Sequence, residues 1–241
     1  MKTTKTSIAL SLTLGIAMLA AGLTGCSKDD TTPESVATDT SLKEATINYT
    51  YDDATMATIG TCIDSLPYEP LSAEEESALI QMREEEYLAH DVYTALFGIY
   101  TKPVFINIAS SELTHTNAVK LLLDKYGLPD PAAGHVQGLF TDPALQTLYN
   151  NLVESGSQSL LAGLIVGATI EDLDIYDLQE LLLVVDNQDI TLVFENLERG
   201  SRNHMRSFYT NILKNGGDYT PQYISLEEFN VIITTPHETG R

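Results

Sequence analysis

Glu112-Leu113-Thr114-His115 sets a carboxylate and an imidazole three residues apart, a step that puts both side chains on one face of a helix. Glu86, Glu171 and His204 stand at corresponding places in three other stretches with helical apolar spacing. In each stretch the polar residue fills a position where the 3-4 rhythm calls for an apolar one. A buried, unpaired carboxylate costs several kcal/mol, so such residues persist where a cation or hydrogen bonds compensate them. Four interruptions at similar depth imply that they meet. Carboxylates and imidazoles meeting inside a group of helices form the donor set of a transition-metal site. Oxygen ligands suit hard, redox-active ions such as iron or manganese, and His adds a nitrogen donor.

The elements that must position these residues are four long helices. The first opens at Ser72 with Glu75 three residues on, a capping box, and is expected to end at Gly98. Its seam runs Leu79, Met82, Glu86, Ala89, Tyr93, Leu96. The second, from Pro103, runs Phe105, Ile108, Glu112, His115, Val119, Leu122, Tyr126 and stops at Gly127. A Gly/Pro-rich connection over residues 128–141 leads to a short helix in "DPALQTLYNNLVESG". The third long helix carries Leu161, Leu164, Ala168, Glu171, Ile175, Leu178 and Leu182. The fourth begins at an Asp189 cap and runs Ile190, Phe194, Leu197, Ser201, His204, Phe208. A C-terminal extension follows, with part of it expected to pack along the helices. The expected fold class is therefore all-α, a four-helix bundle with a short extra helix between helices two and three.

The arrangement resembles the ferritin-like di-metal carboxylate superfamily, in which two helices give one Glu each and two give Glu-x-x-His. "REEEYLAHDVY", "NIASSELTHTNAVKLLLDKYG", "GATIEDLDIYDL" and "GSRNHMRSF" are similar to an uncharacterised bacterial and archaeal branch of its rubrerythrin-type members, over about residues 70–235. The resemblance implies a ferritin-like bundle holding iron or manganese through Glu86, Glu112, His115, Glu171 and His204. It further implies oxidase-type chemistry, either Fe(II) oxidation or peroxide reduction.

Helix four departs from this pattern, because Ser201 stands where a bridging carboxylate belongs, and a neutral hydroxyl cannot replace that charge. Three readings follow. Two ions are held with another acid filling in, either Glu198 or Asp174. One ion is held by Glu86, Glu112 and His115, with Glu171 and His204 binding weakly. Or the metal is absent and the helices form a non-enzymatic binding module, in which Ser201 and Asn203 hydrogen-bond to the neighbouring acids. Glu84 and Glu85 read as a solvated face, Tyr93 and Tyr176 as core packing. His90 falls one position off the seam, and Arg202 could orient a ligand by pairing with an acid.

Residues 1–25 have a basic start (Lys2, Lys5) and an apolar run from Ile8, the layout of a secretory signal. Leu23-Thr24-Gly25-Cys26 resembles a bacterial lipobox, with Cys26 as the lipidated first residue of the mature chain. Ser27, rather than Asp, follows it, which points to the outer membrane if the organism has two. The expected location is therefore the cell envelope, with the lipid as anchor. Residues 26–70 read as a flexible acidic tether and irregular lead-in, and residues 71–241 as the helical domain.

The chain carries 34 acidic and 13 basic residues, net charge −21. Losing the signal removes two lysines and no acids, so −21 becomes −23. Such a charge repels nucleic acid and attracts cations. Cys26 and Cys62 are the two cysteines, and lipidation of the first leaves no internal disulfide. With no CxxC pair, P-loop, GxSxG or HExxH, nucleophilic hydrolases and nucleotide-binding classes have no support. No rubredoxin-like Cys₄ module supplies an electron donor, and a homodimer is left open.

Overall fold

The computed structural model describes residues 53–239. The signal segment, Cys26 and the tether as far as residue 52 lie outside them. The described residues form seven helices and no strand: α1 Asp53–Asp64, α2 Ala73–Tyr100, α3 Pro103–Tyr126, α4 Pro143–Gly156, α5 Leu160–Leu182, α6 Gln188–Lys214 and α7 Leu226–Thr234. None is long and apolar enough to cross a membrane.

Local signals fix most of the boundaries. Ser72 Oγ accepts from Glu75 N at 3.1 Å while Glu75 Oε2 accepts from Ser72 N at 2.8 Å, closing the capping box. The other oxygen of Glu75 accepts from Asn187 N at 3.0 Å, tying the start of α2 to the start of α6. Pro103 sits in the first turn of α3, where its missing N–H costs nothing. Gly127 ends α3 at φ 68°, and Leu128 N donates back to Leu123 O at 2.9 Å.

Three expectations change. α2 runs past Gly98 to Tyr100 and is closed by Thr101 in the left-handed region at φ 52°. The extra turn is used, because Tyr100 OH donates to Gly156 O at 2.8 Å. α6 is capped at Asn187, not Asp189. Asp189 lies in the first turn, fully buried, and accepts from Tyr126 OH at 2.9 Å while pairing with Lys125 Nζ at 2.7 Å. The lead-in is partly helical: α1 buries Ile63, and Lys125 Nζ donates to Ile63 O at 2.9 Å.

α2 packs most extensively on α3 and α5 on α6, while α3–α6 and α2–α5 contacts join the two pairs. One apolar layer contains Ile63, Leu79, Met82, Val119, Leu122, Leu178, Phe194 and Leu197. Another contains Tyr93, Phe105 and Phe208, whose rings lie 5.1 Å (Tyr93–Phe208) and 6.0 Å (Phe105–Phe208) apart. The acids and histidines of the four seams fall in sequence between these layers. Gly167 permits this packing, since a Cβ there would lie 2.3 Å from Phe208 Cε1.

The C-terminal segment packs on the helices through two polar devices, a buried one at Asp172 and a half-buried one at Glu238. Asp172 accepts from Tyr219 OH at 2.8 Å and Ile224 N at 3.0 Å. Glu238 takes Arg202 Nε at 2.9 Å and Nη2 at 2.7 Å, and Arg206 Nη2 at 2.9 Å. These hydrogen bonds, with Arg202 first, hold the Glu238 carboxyl at about 2, below its ordinary 4.5. A carboxyl depressed on folding stabilises above its ordinary value, and that stability is lost as pH falls toward the folded one. Partial exposure limits it to about 1 kcal/mol. NMR titration of the Glu238 side chain should therefore show a midpoint near 2, with the segment loosening between pH 4.5 and 2. An ordinary midpoint would mean that the ion pairs do not form in solution.

Candidate metal centre

α2, α3, α5 and α6 bring Glu86, Glu112, His115, Glu171 and His204 together. The three carboxylates are each 1% exposed and His204 is 7% exposed. Glu112 lies in the middle, with Oε2 at 2.7 Å from His115 Nδ1 and Oε1 at 2.9 Å from His204 Nδ1. His115 Nδ1 is also 3.3 Å from Glu86 Oε2, and His204 Nδ1 is 3.3 Å from Glu171 Oε2. Two donor triads thus share one carboxylate: Glu86, His115 and Glu112 on one side, Glu112, His204 and Glu171 on the other. The imidazoles stack at 5.4 Å with 26° between their planes.

Short distances here do not amount to a satisfied network. Glu86 Oε1, Glu112 Oε2, Glu171 Oε2 and His204 Nδ1 are buried without a hydrogen-bond partner. Buried polar atoms are nearly always paired, so four orphans in one centre need an explanation. Glu112, His115 and His204 each offer a ligand atom, and these lie within 4.8 Å of one another. A carboxylate and two imidazoles in reach of one ion fit iron or manganese.

Burial and mutual proximity shift these groups in opposite directions. Burial, then the charge of Glu112, lifts Glu171 to about 7, with His204 and Tyr93 opposing. Glu86 is lifted to about 8 by burial, despite His115. Burial would raise Glu112 too, but His204 and His115 outweigh it and hold that carboxyl below its usual range. Burial lowers His204, yet Glu112 and Glu171 bring it up to about 10.

Ser201 does not face the centre as a ligand. Its Oγ donates to Asp174 Oδ2 at 2.5 Å, and the fully buried serine thereby ties this acid to α6. Burial and the charges of Glu86, Glu171 and Glu112 push Asp174 well above the usual carboxylate range. Glu198, the other candidate substitute, is engaged elsewhere, with Oε1 2.7 Å from Arg202 Nη1 and 3.0 Å from Gln179 Nε2. Asn203 holds the backbone of Glu238 rather than an acid of the centre, donating from Nδ2 to the carbonyl at 3.0 Å.

Several side chains take roles or places that the seam pattern does not carry. Tyr93 OH donates to Glu171 Oε1 at 2.5 Å, so its hydroxyl orients a member of the centre while its ring packs. Tyr176, expected in the core, is 38% exposed. His90 Nδ1 lies 2.8 Å from Ala109 O. Glu85 is not fully solvated: it is half-buried, and burial with Asp177 and Asp174 pushes its carboxyl well up. Gly200 admits His115, because a Cβ at that position would stand 2.5 Å from the ring's Cε1 and 2.6 Å from Nε2.

A family profile described as an uncharacterized protein domain, DUF2202, matches residues 75–236. Uncharacterized protein MJ0754 of Methanocaldococcus jannaschii is 52% identical over 178 residues, 74% of this chain and 96% of the relative. The crystal structure of hypothetical protein MJ0754 from Methanococcus jannaschii superposes with a TM-score of 0.71 at 51% identity, covering 72% of this chain and 99% of that one.

Proposed function

The chain belongs to the DUF2202 family, and from that premise we propose that its helical domain is a ferritin-like four-helix bundle whose centre binds two iron or manganese ions for oxidase-type chemistry. The observation that carries this reading is Glu112, a single carboxylate with one oxygen beside each imidazole nitrogen. Two ions held there would supply paired one-electron steps to dioxygen or peroxide, with Fe(II) oxidation as the simplest outcome. Glu112 would be shared between the two ions, Glu86 with His115 and Glu171 with His204 would each help hold one of them, and Tyr93 fixes the orientation of Glu171. Asp174, held by Ser201, is the nearby acid that would ionise to make up for the carboxylate missing at position 201 once a cation is bound. We further place the protein on the cell envelope, exported and lipid-anchored through Cys26, on the outer membrane if the organism has two.

The domain, purified without a metal-binding tag and reconstituted anaerobically with Fe(II), is expected to hold about two ions per chain by elemental analysis, the number the two triads accommodate. About one would favour the reading with Glu86, Glu112 and His115 alone. No uptake would overturn the metal reading in favour of a binding module. The Ser201–Asp174 hydrogen bond is the observation on that side, since it compensates one acid without a cation.

A further inference from the structure

The connection between α3 and α4 is held against α2 by a histidine. His135 Nε2 lies 2.8 Å from Asp91 Oδ2, which also accepts from Gly138 N at 2.6 Å. Asp91 is 1% exposed, and the His135 ring stacks on Tyr87 at 4.3 Å with 29° between their planes. Phe140 stands 5.3 Å from the same ring. A carboxylate accepts and does not donate, so the proton of the neutral imidazole is held on Nε2. Nδ1 is left as a lone pair.

This ring lines a cleft of about 210 Å³ that shares no residue with the metal centre. Tyr87, Pro131, Val136, Leu139 and Phe140 give it aromatic and aliphatic walls, with Val136 and Leu139 more than half exposed. Glu84, half-buried on α2, adds a carboxylate that accepts no hydrogen bond among the described residues.

Donors are scarce there. The N–H groups of Ala132, Ala133, His135, Leu139 and Phe140 all donate within the loop or to Gln146. None of the described lining residues is Lys or Arg. Arg83, over the Tyr87 ring at 4.7 Å, is spent on Asp130 and Thr116. An imidazole lone pair and a carboxylate between apolar walls suit a ligand that donates hydrogen bonds, carries positive charge and has an apolar body. An apolar cavity of about 150 Å³ admits benzene. This cleft has room for a ring and a short cationic arm.

We propose that the cleft binds a small organic cation, an ammonium or guanidinium group on an apolar stem, with Glu84 as counter-ion and His135 Nδ1 as the acceptor that orients it. Asp91 is the positioning residue, because it fixes both the tautomer and the ring.

The test is titration of the ¹⁵N-labelled protein with benzylammonium, read from the amide shifts of the loop. Saturable shifts at Gly134 and Val136 are expected, with a Kd of about 1 mM, within reach of a fragment this small. Benzyl alcohol and benzoate, its neutral and anionic counterparts, should bind about tenfold more weakly or worse. Glu84→Gln should lose about tenfold in affinity for benzylammonium, while Glu154→Gln, exposed on α4, should lose none. Just above neutral pH, ¹⁵N shifts of the His135 ring should show a proton on Nε2 and none on Nδ1. Asp91→Asn should mix the two tautomers and weaken binding together. Tighter binding of N-acetyl-lysine amide than of benzylammonium would assign the cation to a protein side chain, and the reverse order to a free amine; either carries the site. Equal binding of benzyl alcohol, a preference for benzoate, a proton on Nδ1, or wild-type affinity in Glu84→Gln would each overturn it. So would the absence of saturable shifts with both cations.

Discussion

Glu112→Ala is expected to abolish metal binding altogether, while Glu86→Ala and Glu171→Ala each leave about one ion per chain. The asymmetry follows from position. Of the two imidazoles, Glu86 approaches His115 and Glu171 approaches His204, whereas the two oxygens of Glu112 serve both nitrogens. Removing it takes an oxygen donor from both triads at once and also the shared charge that couples them. Equilibrium dialysis against Fe(II) or Mn(II), with far-UV circular dichroism to verify the helices, checks the pattern. Equal effects of all three substitutions would contradict a bridging role for Glu112. Retention of two ions by Glu112→Ala would remove the centre from its place in the proposed function.

The largest loss of stability should come from Arg83→Ala. Arg83 is buried, and its guanidinium donates to both Asp130 oxygens at 3.0 Å, to Thr116 O at 2.8 Å and to Thr116 Oγ1 at 2.7 Å. It also lies over the Tyr87 ring at 4.7 Å. Removing one partner of a buried pair leaves the others desolvated and unpaired, which costs about 3 kcal/mol. For a domain of this size that corresponds to a fall in thermal midpoint of about 6–12 °C. Arg83→Lys should rescue little, because a point charge cannot fork to Asp130 and reach Thr116 together. A shift below about 2 °C would show that water replaces these bonds at little cost. Arg83 precedes Glu86 by three residues and Thr116 follows His115, so this bolt between α2 and α3 also sets the register of the centre.

What could be read before the structure was whatever depends on near neighbours in the chain. The Ser72–Glu75 box, Pro103 and Gly127 act within a few residues, and they place the ends of α2 and α3. The seam rhythm likewise sets which face of each helix Glu86, Glu112, His115, Glu171 and His204 share. Contacts between distant residues left no such trace. Tyr93 looked apolar because its ring packs, and its hydroxyl found Glu171 78 positions away. Glu85 was hidden in a run of like charges, whose usual fate is a wet surface. Helix α1 follows no strong pattern of its own and rests instead on Ile63 and the reach of Lys125. Asp189 looked like a cap because Asp favours that role, yet Tyr126 and Lys125 draw it inward.

The glycine at position 200 has a consequence for reading other members of the family. Its missing side chain is the space that the His115 ring edge occupies. An imidazole on α3 and a hydrogen atom on α6 are therefore one feature written in two places, 85 positions apart. A relative that keeps a histidine at the first place but carries any side chain at the second must turn that ring away, and with it the nitrogen that faces Glu112. Glu-x-x-His alone is then an incomplete signature of this centre, and the distant glycine is the part that tells whether the histidine can take up its post.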